Sequence, residues 1–238
     1  MFLAQILLGE DIYYGQMILV YHENISYARL NMTSTTPTDT KEQILDVAER
    51  LFAENGFAGT SLRGVIREAD VNLSAVNYHF GSKEGLFHAV IKRTAQPIVE
   101  GELERLKQCQ SKQENPSVEA ILEAFLTPPL EIILNSGERG IYCARFMGRC
   151  RTEPDAVRLV AEQEFKASTE AFLDAFTRSL PDLSRTELTW KLDLVIAVLL
   201  RVLNEAKKPG SLIQDDKPEI IKTTVSKLVS FLAPALRS

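Results

Sequence analysis

The chain has 238 residues, of which 45% are hydrophobic and 25% are charged, and its formal net charge is −5 at pH 7. This composition is typical of a globular protein with a substantial core in one or two domains, and it excludes a disordered or polybasic chain. The mild acidity disfavours a general nucleic-acid coat protein but is compatible with a specific DNA binder, whose positive charge need only be local. Apolar runs are shorter than the roughly 20 residues that a membrane-spanning helix requires.

Residues 1–39 are predicted to be an extension and a flexible leader ahead of the first domain. Residues 1–8 are apolar, but no basic residue precedes them and acids follow at Glu10 and Asp11, so the layout of a signal peptide is absent. Met32 opens a polar stretch and is interpreted as the natural start. A membrane-surface anchor in residues 1–31 is the alternative, which the scarcity of Lys and Arg there disfavours. No stable membrane association is expected.

Helical periodicity begins at Thr40. Thr40 and Gln43 form a capping-box pattern at the start of an amphipathic helix. Asn55 and Gly56 are predicted to end this helix, with Gly56 supplying a left-handed C-cap.

Two short helices are predicted next. Thr60 is expected to cap the first, in residues 61–69, and Asn72 to cap the second, in residues 73–80. The three residues between them form a turn. Two short helices joined in this way and supported by a longer helix predict a helix-turn-helix unit, whose second helix enters the major groove of DNA.

A specific run follows this turn, Tyr-x-Phe-x-Ser-Lys-Glu-x-Leu-Phe, in residues 78–87. Together with the helix pattern of residues 44–57 and 60–70, it resembles the tetracycline-repressor (TetR) family of one-component regulators. The resemblance covers residues 40–88. It implies an all-α protein with a three-helix DNA-binding head in residues 40–88 and a helical ligand-binding and dimerisation domain in residues 89–238. Residues 71–81 are most similar to the branch that includes fatty-acid-responsive regulators of lipid metabolism.

Two positions depart from the family pattern. Asp70 stands in the turn where glycine is usual, and aspartate tolerates a left-handed backbone better than most residues, so the turn is expected to survive. Ile66 stands where a small residue is usual in the helix before the turn, so the packing of that helix must adjust.

Base reading is assigned to the second helix of the pair. Asn77 is the main candidate, because an amide can bond bidentately to adenine in the major groove. The Ser74 hydroxyl and the Ala75 methyl group would add a hydrogen bond and a contact to a thymine methyl. His79 has two open interpretations, DNA contact or local packing beside Phe80.

Phosphate contacts are assigned around this helix. Lys83 and the free amides at the start of the following helix favour an anion. Tyr78, Thr60 and Arg63 are further phosphate donors. Basic residues outnumber acids between Thr60 and Arg93, whereas acids prevail in residues 33–59, so positive charge is expected on the docking face. The full set of predicted DNA-binding residues is Thr60, Ser61, Arg63, Leu73, Ser74, Ala75, Asn77, Tyr78, His79 and Lys83.

Further helices are predicted in residues 85–110, 116–134, 141–151, 154–180, 186–203 and 217–232, with a break or kink at Pro128–Pro129 and a loop at Gly137 and Gly140. The last two are strongly apolar. They are expected to form a homodimer interface, because a palindromic DNA operator requires a two-fold symmetric protein.

An effector pocket is expected among residues 117–180. Its candidate ligand-binding residues are Phe125, Cys143, Phe146, Met147, Phe165 and Phe172. Ordinary core packing is the alternative for each of them. The apolar lining favours a small apolar or amphipathic effector such as a fatty acid or an acyl-CoA, and effector binding would release a repressor from DNA.

Other classes of function are less well supported by the sequence. Cys143 and Cys150 share a helix face, so a cysteine redox sensor on the same fold is one alternative. A helical interaction or membrane-peripheral protein without specific DNA binding is another. The pattern contains no phosphate loop, metal-ligand spacing or nucleophile motif, so we expect no enzyme activity, metal or cofactor. The odd number of cysteines fits a reducing cytoplasm.

Overall fold

The computed structural model describes residues 37–113, 115–214 and 218–238, and the regular structure in these ranges is entirely helical, as predicted. Residues 1–36, which hold most of the predicted extension, lie outside the described residues. No helix in the described ranges is long and apolar enough to cross a membrane. The helices are α1 (Pro37–Gly59), α2 (Leu62–Glu68), α3 (Leu73–Phe80), α4 (Lys83–Lys112), α5 (Val118–Asn135), α6 (Gly137–Cys150), α7 (Asp155–Ser179), α8 (Arg185–Asn204) and α9 (Pro218–Arg237).

Helix α1 differs at both ends from its prediction. It begins at Pro37, upstream of Thr40, so the predicted capping box is wrong. Gly56 interrupts the helix with φ 73° and ψ 178°. The positive φ was predicted, but the extended ψ is not the left-handed helical cap that we expected. Glycine is required here because this combination of angles is closed to other residues.

Helices α1–α3 form a head that packs on the first half of α4. Ile44, Val65, Val76 and Val90 are fully buried in one apolar cluster, which also includes residues of α6. Aromatic rings hold the cluster together: the ring centroids of Phe52 and Phe87 are 4.9 Å apart in an edge-to-face arrangement. Such a pair contributes about 1 kcal/mol beyond the area that it buries.

Helices α5–α9 form a second apolar cluster, called the body here. Helix α5 continues through Pro128 and Pro129, so the predicted break is not observed. Helix α6 begins at Gly137 rather than Ile141. Gly140 lies inside this helix. Only glycine fits there, because a Cβ atom at this position would come within 1.7 Å of the Ile133 carbonyl oxygen. The glycine therefore serves the close approach of α5 and α6 instead of forming a loop.

Candidate nucleic-acid interface

Side-chain caps fix the starts of α2 and α3. The Asn72 side-chain oxygen accepts a hydrogen bond from the Ala75 amide at 2.8 Å, which confirms the predicted cap of α3. The cap of α2 is Ser61, whose hydroxyl accepts from the Gly64 amide at 3.1 Å, so the predicted cap at Thr60 is wrong. The Thr60 hydroxyl is buried and donates to the carbonyl oxygens of Leu51 and Gly56, at 3.0 and 2.8 Å. The Thr60 hydroxyl group therefore binds backbone carbonyls around the break in α1 and is not available to a phosphate.

The turn between α2 and α3 is set by Asp70, which has φ 47°. This is the left-handed conformation that the sequence predicted for the position. Val71 then donates its amide to the Ile66 carbonyl at 3.2 Å, which ends α2. Because Val65 and Val76 are completely buried on the two sides of the turn, the turn fixes α3 against α2.

The outer face of α3 consists of solvent-exposed side chains. Leu73, Ser74 and Asn77 are exposed, and Tyr78 has 82% of its surface in solvent. Ala75 is half-buried at the edge of this face. A large aromatic ring exposed beside an amide and a hydroxyl is a surface suited to a partner. We call Leu73, Ser74, Asn77 and Tyr78 the α3 face.

His79 lies at the margin of the α3 face. It is half-buried, and its ring contacts the rings of Tyr78 and Phe80, with centroid distances of 5.0 and 5.9 Å. These contacts favour local packing over a direct DNA contact as the role of His79.

The start of α4 borders the α3 face. The Ser82 hydroxyl accepts from the Gly85 amide at 3.1 Å, and Lys83 is the first helical residue. The Lys83 ammonium lies 4.4 Å from the centroid of the Phe57 ring. A cation over an aromatic face is held by the quadrupole of the ring, so this charge is fixed beside the amide groups of the helix start.

The positive charge near the α3 face comes from fewer residues than the sequence suggested. Arg63 and Arg67 are exposed on α2, next to the α3 face in the helix-turn-helix unit. The charge count along the sequence placed Arg93 on the docking face, but its side chain lies against α1. Its guanidinium group pairs with Glu42, Asp46 and Glu49 on α1, at 3.1, 2.8 and 2.5 Å. The packing of α4 against α1 brings these groups together, which a count of charges along the sequence could not detect.

Glu49 links the head to the body. Its side chain is 2% exposed and accepts from Arg93 on α4 and from Arg139 on α6, the latter at 3.3 Å. Near the other end of α6, Arg149 donates to the Glu54 carbonyl at 2.9 Å, and Glu153 accepts from the Phe57 amide at 3.0 Å. Helix α6 and the residues just after it therefore contact α1 at two places, at Glu49 and near Glu54.

A cavity of ≈ 670 Å³ lies in the body, bounded by α4, α5, α6, α7 and α8. Of the predicted ligand-binding residues, Phe125, Met147 and Phe165 line it. Cys143, Phe146 and Phe172 are not among the residues that line this cavity. Phe146 packs on Phe87 in the head cluster, with a centroid distance of 5.4 Å. Phe172 is fully buried behind Phe125, and Cys143 is buried near Glu49 and Thr94.

The sequence analysis missed Glu102, a cavity-lining residue that is only 3% exposed. The buried Ser168 hydroxyl donates to its carboxyl group. Burial, opposed by this hydrogen bond, raises the pKa of Glu102 to about 8 from its ordinary value of 4.5. A signal existed in the sequence, because Glu102 lies between Ile98 and Leu106 at four-residue spacing on the apolar face of α4.

The cysteines of α6 are poorly suited to redox sensing. Burial is the largest cause that raises the thiol pKa of both Cys143 and Cys150 to about 12. Because the thiolate is the reactive form, these side chains are almost entirely unreactive thiols at neutral pH.

Comparison with known proteins agrees with both parts of this architecture. Residues 44–90 match the family model "Bacterial regulatory proteins, tetR family", and residues 123–235 match "Tetracyclin repressor-like, C-terminal domain". The chain is 40% identical over 52 residues to the probable HTH-type transcriptional regulator YttP of Bacillus subtilis, and 36% identical over 64 residues to the HTH-type transcriptional repressor AcnR of Corynebacterium glutamicum. These matches cover 22% and 27% of this chain, and 25% and 34% of the two relatives.

The fold extends further than the sequence matches. The solved structure of the transcriptional regulator FadR from Bacillus subtilis, in complex with stearoyl-CoA, superimposes with a TM-score of 0.59. The alignment covers 81% of this chain and 97% of FadR at 14% identity, which shows a shared fold. The two family models together span the head and most of the body. The chain therefore belongs to the TetR family of bacterial regulatory proteins.

Proposed function

We propose that the protein is a cytoplasmic transcriptional repressor that binds a palindromic DNA operator as a homodimer and is released by a small apolar or amphipathic effector. The α3 face is the observation that carries this proposal. It presents an amide, two hydroxyl groups and an apolar side chain on a helix fixed by two caps and a turn, which suits the major groove.

Roles on DNA follow from chemistry and position. Asn77 would read a base edge, with Ser74 and Ala75 beside it, and Leu73 would make an apolar contact at the start of α3. Tyr78, Ser61, Arg63 and Lys83 would hold backbone phosphates and set the register of the head. His79 would not contact DNA itself but would support Tyr78 through the packing of their rings.

Helices α8 and α9 supply the proposed dimer interface. Trp190 and Leu194 lie one helical turn apart on α8, and both are half exposed. Phe231 on α9 has 69% of its surface in solvent. Apolar side chains of this size on the outer faces of two terminal helices favour burial against a second copy, in which each helix meets its symmetry mate.

The cavity is the proposed effector site. Its volume falls within the usual range for small-molecule pockets, and Phe125, Met147 and Phe165 give it an apolar lining. Fatty acids and acyl-CoA are the first class to test, because a regulator of the same fold binds stearoyl-CoA. The basic residues Arg151, Arg158 and Lys166 at the cavity rim would meet the anionic head group of such a ligand.

Helix α6 would carry the signal between cavity and head. Met147 and Cys150 line the cavity, whereas Phe146 and Arg149 of the same helix contact the head. A ligand that displaces Met147 or Cys150 would therefore move the contacts on α1. That movement would favour a spacing of the two heads that no longer matches two major grooves one turn apart.

A gel-shift assay against the DNA next to its own gene tests the proposal. We expect a sequence-dependent complex at moderate salt. Asn77→Ala should lose discrimination between sites while keeping non-specific affinity, and Lys83→Ala should weaken binding to all sequences. Lys112→Ala, at the far end of α4, is the control and should bind as the wild type does. Absence of sequence-dependent binding, or equal loss of specificity in the Asn77 and Lys83 variants, would contradict these assignments.

A further inference from the structure

We propose that the cavity selects a lipophilic organic cation, an apolar body that carries a positively charged nitrogen, and that Glu102 is the counter-ion for this charge. The inference rests on the proposed function in taking the cavity as the effector site, and it names the class of ligand. An acyl anion is the competing occupant.

The position of Glu102 is the first step. The side chain lines the cavity from α4, opposite residues of α7 and α8, and has almost no contact with solvent. In the described part of the chain its one hydrogen-bond partner is Ser168, a neutral hydroxyl group that is itself buried. A carboxyl side chain this deeply buried without a cationic partner is unusual, because glutamate is almost never fully buried unless it is paired.

The surroundings of Glu102 are the second step. Apolar side chains dominate the interior of the cavity, and Phe125 and Phe165 place two aromatic rings in its lining. A cation bound there would gain the attraction of an anionic carboxylate in a poorly solvated site and the attraction of aromatic faces. A carboxylate or phosphate group would gain no such attraction in the interior, because it would meet Glu102 either as a neutral acid or, above its pKa, as a repelling carboxylate.

The rim charges do not neutralise Glu102. Arg151 pairs with Asp193, and Arg158 pairs with Asp155 and Glu162. Glu170 pairs with Arg185. Lys166 is exposed on α7, and burial and Ser168 are the influences that set the ionisation of Glu102. The charged groups that face the cavity are therefore Glu102 inside and Arg151, Arg158, Glu162, Lys166, Glu170 and Asp193 around the rim.

Proton release is the signature of this mode of binding. Free Glu102 keeps its proton at neutral pH, since its pKa is about 8. A cation in the cavity stabilises the carboxylate, so each binding event releases one proton below that pH. The affinity for a permanently charged cation should then rise about 50-fold between pH 6 and pH 8. The affinity for an anion of equal chain length should fall as Glu102 ionises, and that for a neutral alcohol should change least.

Calorimetric titration of the full-length protein tests the inference without DNA. The probes are decyltrimethylammonium, decanoate and decanol, each used below its critical micelle concentration. We expect decyltrimethylammonium to bind most tightly at pH 8. Glu102→Gln should weaken this binding about 10- to 100-fold and abolish its pH dependence, because the amide has the same shape without the charge. Glu104→Gln, two residues away on the exposed side of α4, should leave both unchanged, and thermal unfolding verifies that both variants fold.

Several outcomes would overturn the inference. These are no binding of decyltrimethylammonium, equal binding to wild type and Glu102→Gln, a pH-independent affinity, or preference for decanoate. Preference for decanoate together with release of DNA would leave the proposed function standing and replace only the ligand class. Glu102-dependent cation binding that leaves DNA affinity unchanged would support the cation site and contradict the effector role.

Discussion

At the scale of single residues, Glu102 is expected to make the stability of the protein depend strongly on pH. Its folded-state pKa of about 8 lies above the ordinary value of 4.5, so the folded protein holds a proton that the unfolded chain releases between these values. The free energy of unfolding therefore falls as pH rises from about 4.5 to about 8, by up to about 5 kcal/mol.

Glu102→Gln should remove this contribution. We expect similar stability of the variant and the wild type near pH 5, and a more stable variant at pH 8, measured by urea unfolding at one fixed protein concentration. Glu104→Gln serves as the control because Glu104 is exposed on the same helix. Parallel stability curves for wild type and Glu102→Gln would show that the carboxyl group is not perturbed as the structure indicates.

Residue types with a strong local preference could be predicted from sequence, whereas residues whose role depends on the fold could not. The cap at Asn72 and the left-handed turn at Asp70 follow from side-chain chemistry within a few residues, and both were predicted correctly. Thr60 and Ser61 are adjacent and both suit a cap, so only the packing of α1 decides that Thr60 turns inward. Arg93 was misassigned because its partners lie on α1, far away in sequence.

At the scale of helices, α6 is the element whose two faces connect cavity and head. Arg149 donates hydrogen bonds to the Ala53 and Glu54 carbonyl groups near the end of α1, and it is not among the residues that line the cavity. Arg149→Ala should therefore leave the affinity for a cavity ligand unchanged but reduce the effect of that ligand on DNA affinity, by about 1 kcal/mol of coupling free energy.

Two titrations measure this effect: ligand binding by calorimetry, and DNA binding by fluorescence anisotropy with and without ligand. Arg145→Ala is the matched control, since Arg145 is exposed on the same helix one turn away. If Arg149→Ala keeps the full ligand effect, coupling does not pass through the contact between α6 and α1.

Helix types and order were predictable from apolar periodicity, but helix ends were less so. The α6 start at Gly137 was missed because two glycines suggest a loop, whereas Gly140 is present for close packing against Ile133. The cavity lies partly within residues 117–180, and three of the six residues named for the effector pocket line it, but residues of α4 and α8 line it as well. The other three named residues were aromatic or thiol side chains that face neighbouring helices, and helical spacing alone does not tell which buried face borders empty space.

At the scale of the whole molecule, the proposed dimer depends on the exposed apolar side chains of α8 and α9. Leu194→Glu would place a charge in the interface and should shift the protein to monomers, as observed by sedimentation velocity. The DNA affinity for a two-half-site operator should then fall by at least about tenfold, because each head binds separately. Leu212→Glu is the control, as Leu212 is exposed outside both helices. A Leu194→Glu protein that remains dimeric would place the interface elsewhere.

The coupling between cavity and DNA is the central claim. It is tested most directly by an anisotropy titration of the operator duplex with the full-length protein, free and saturated with a ligand whose binding to the cavity calorimetry has established. We predict that saturation raises the dissociation constant for the operator by at least about tenfold. An unchanged dissociation constant with the cavity filled would contradict the account.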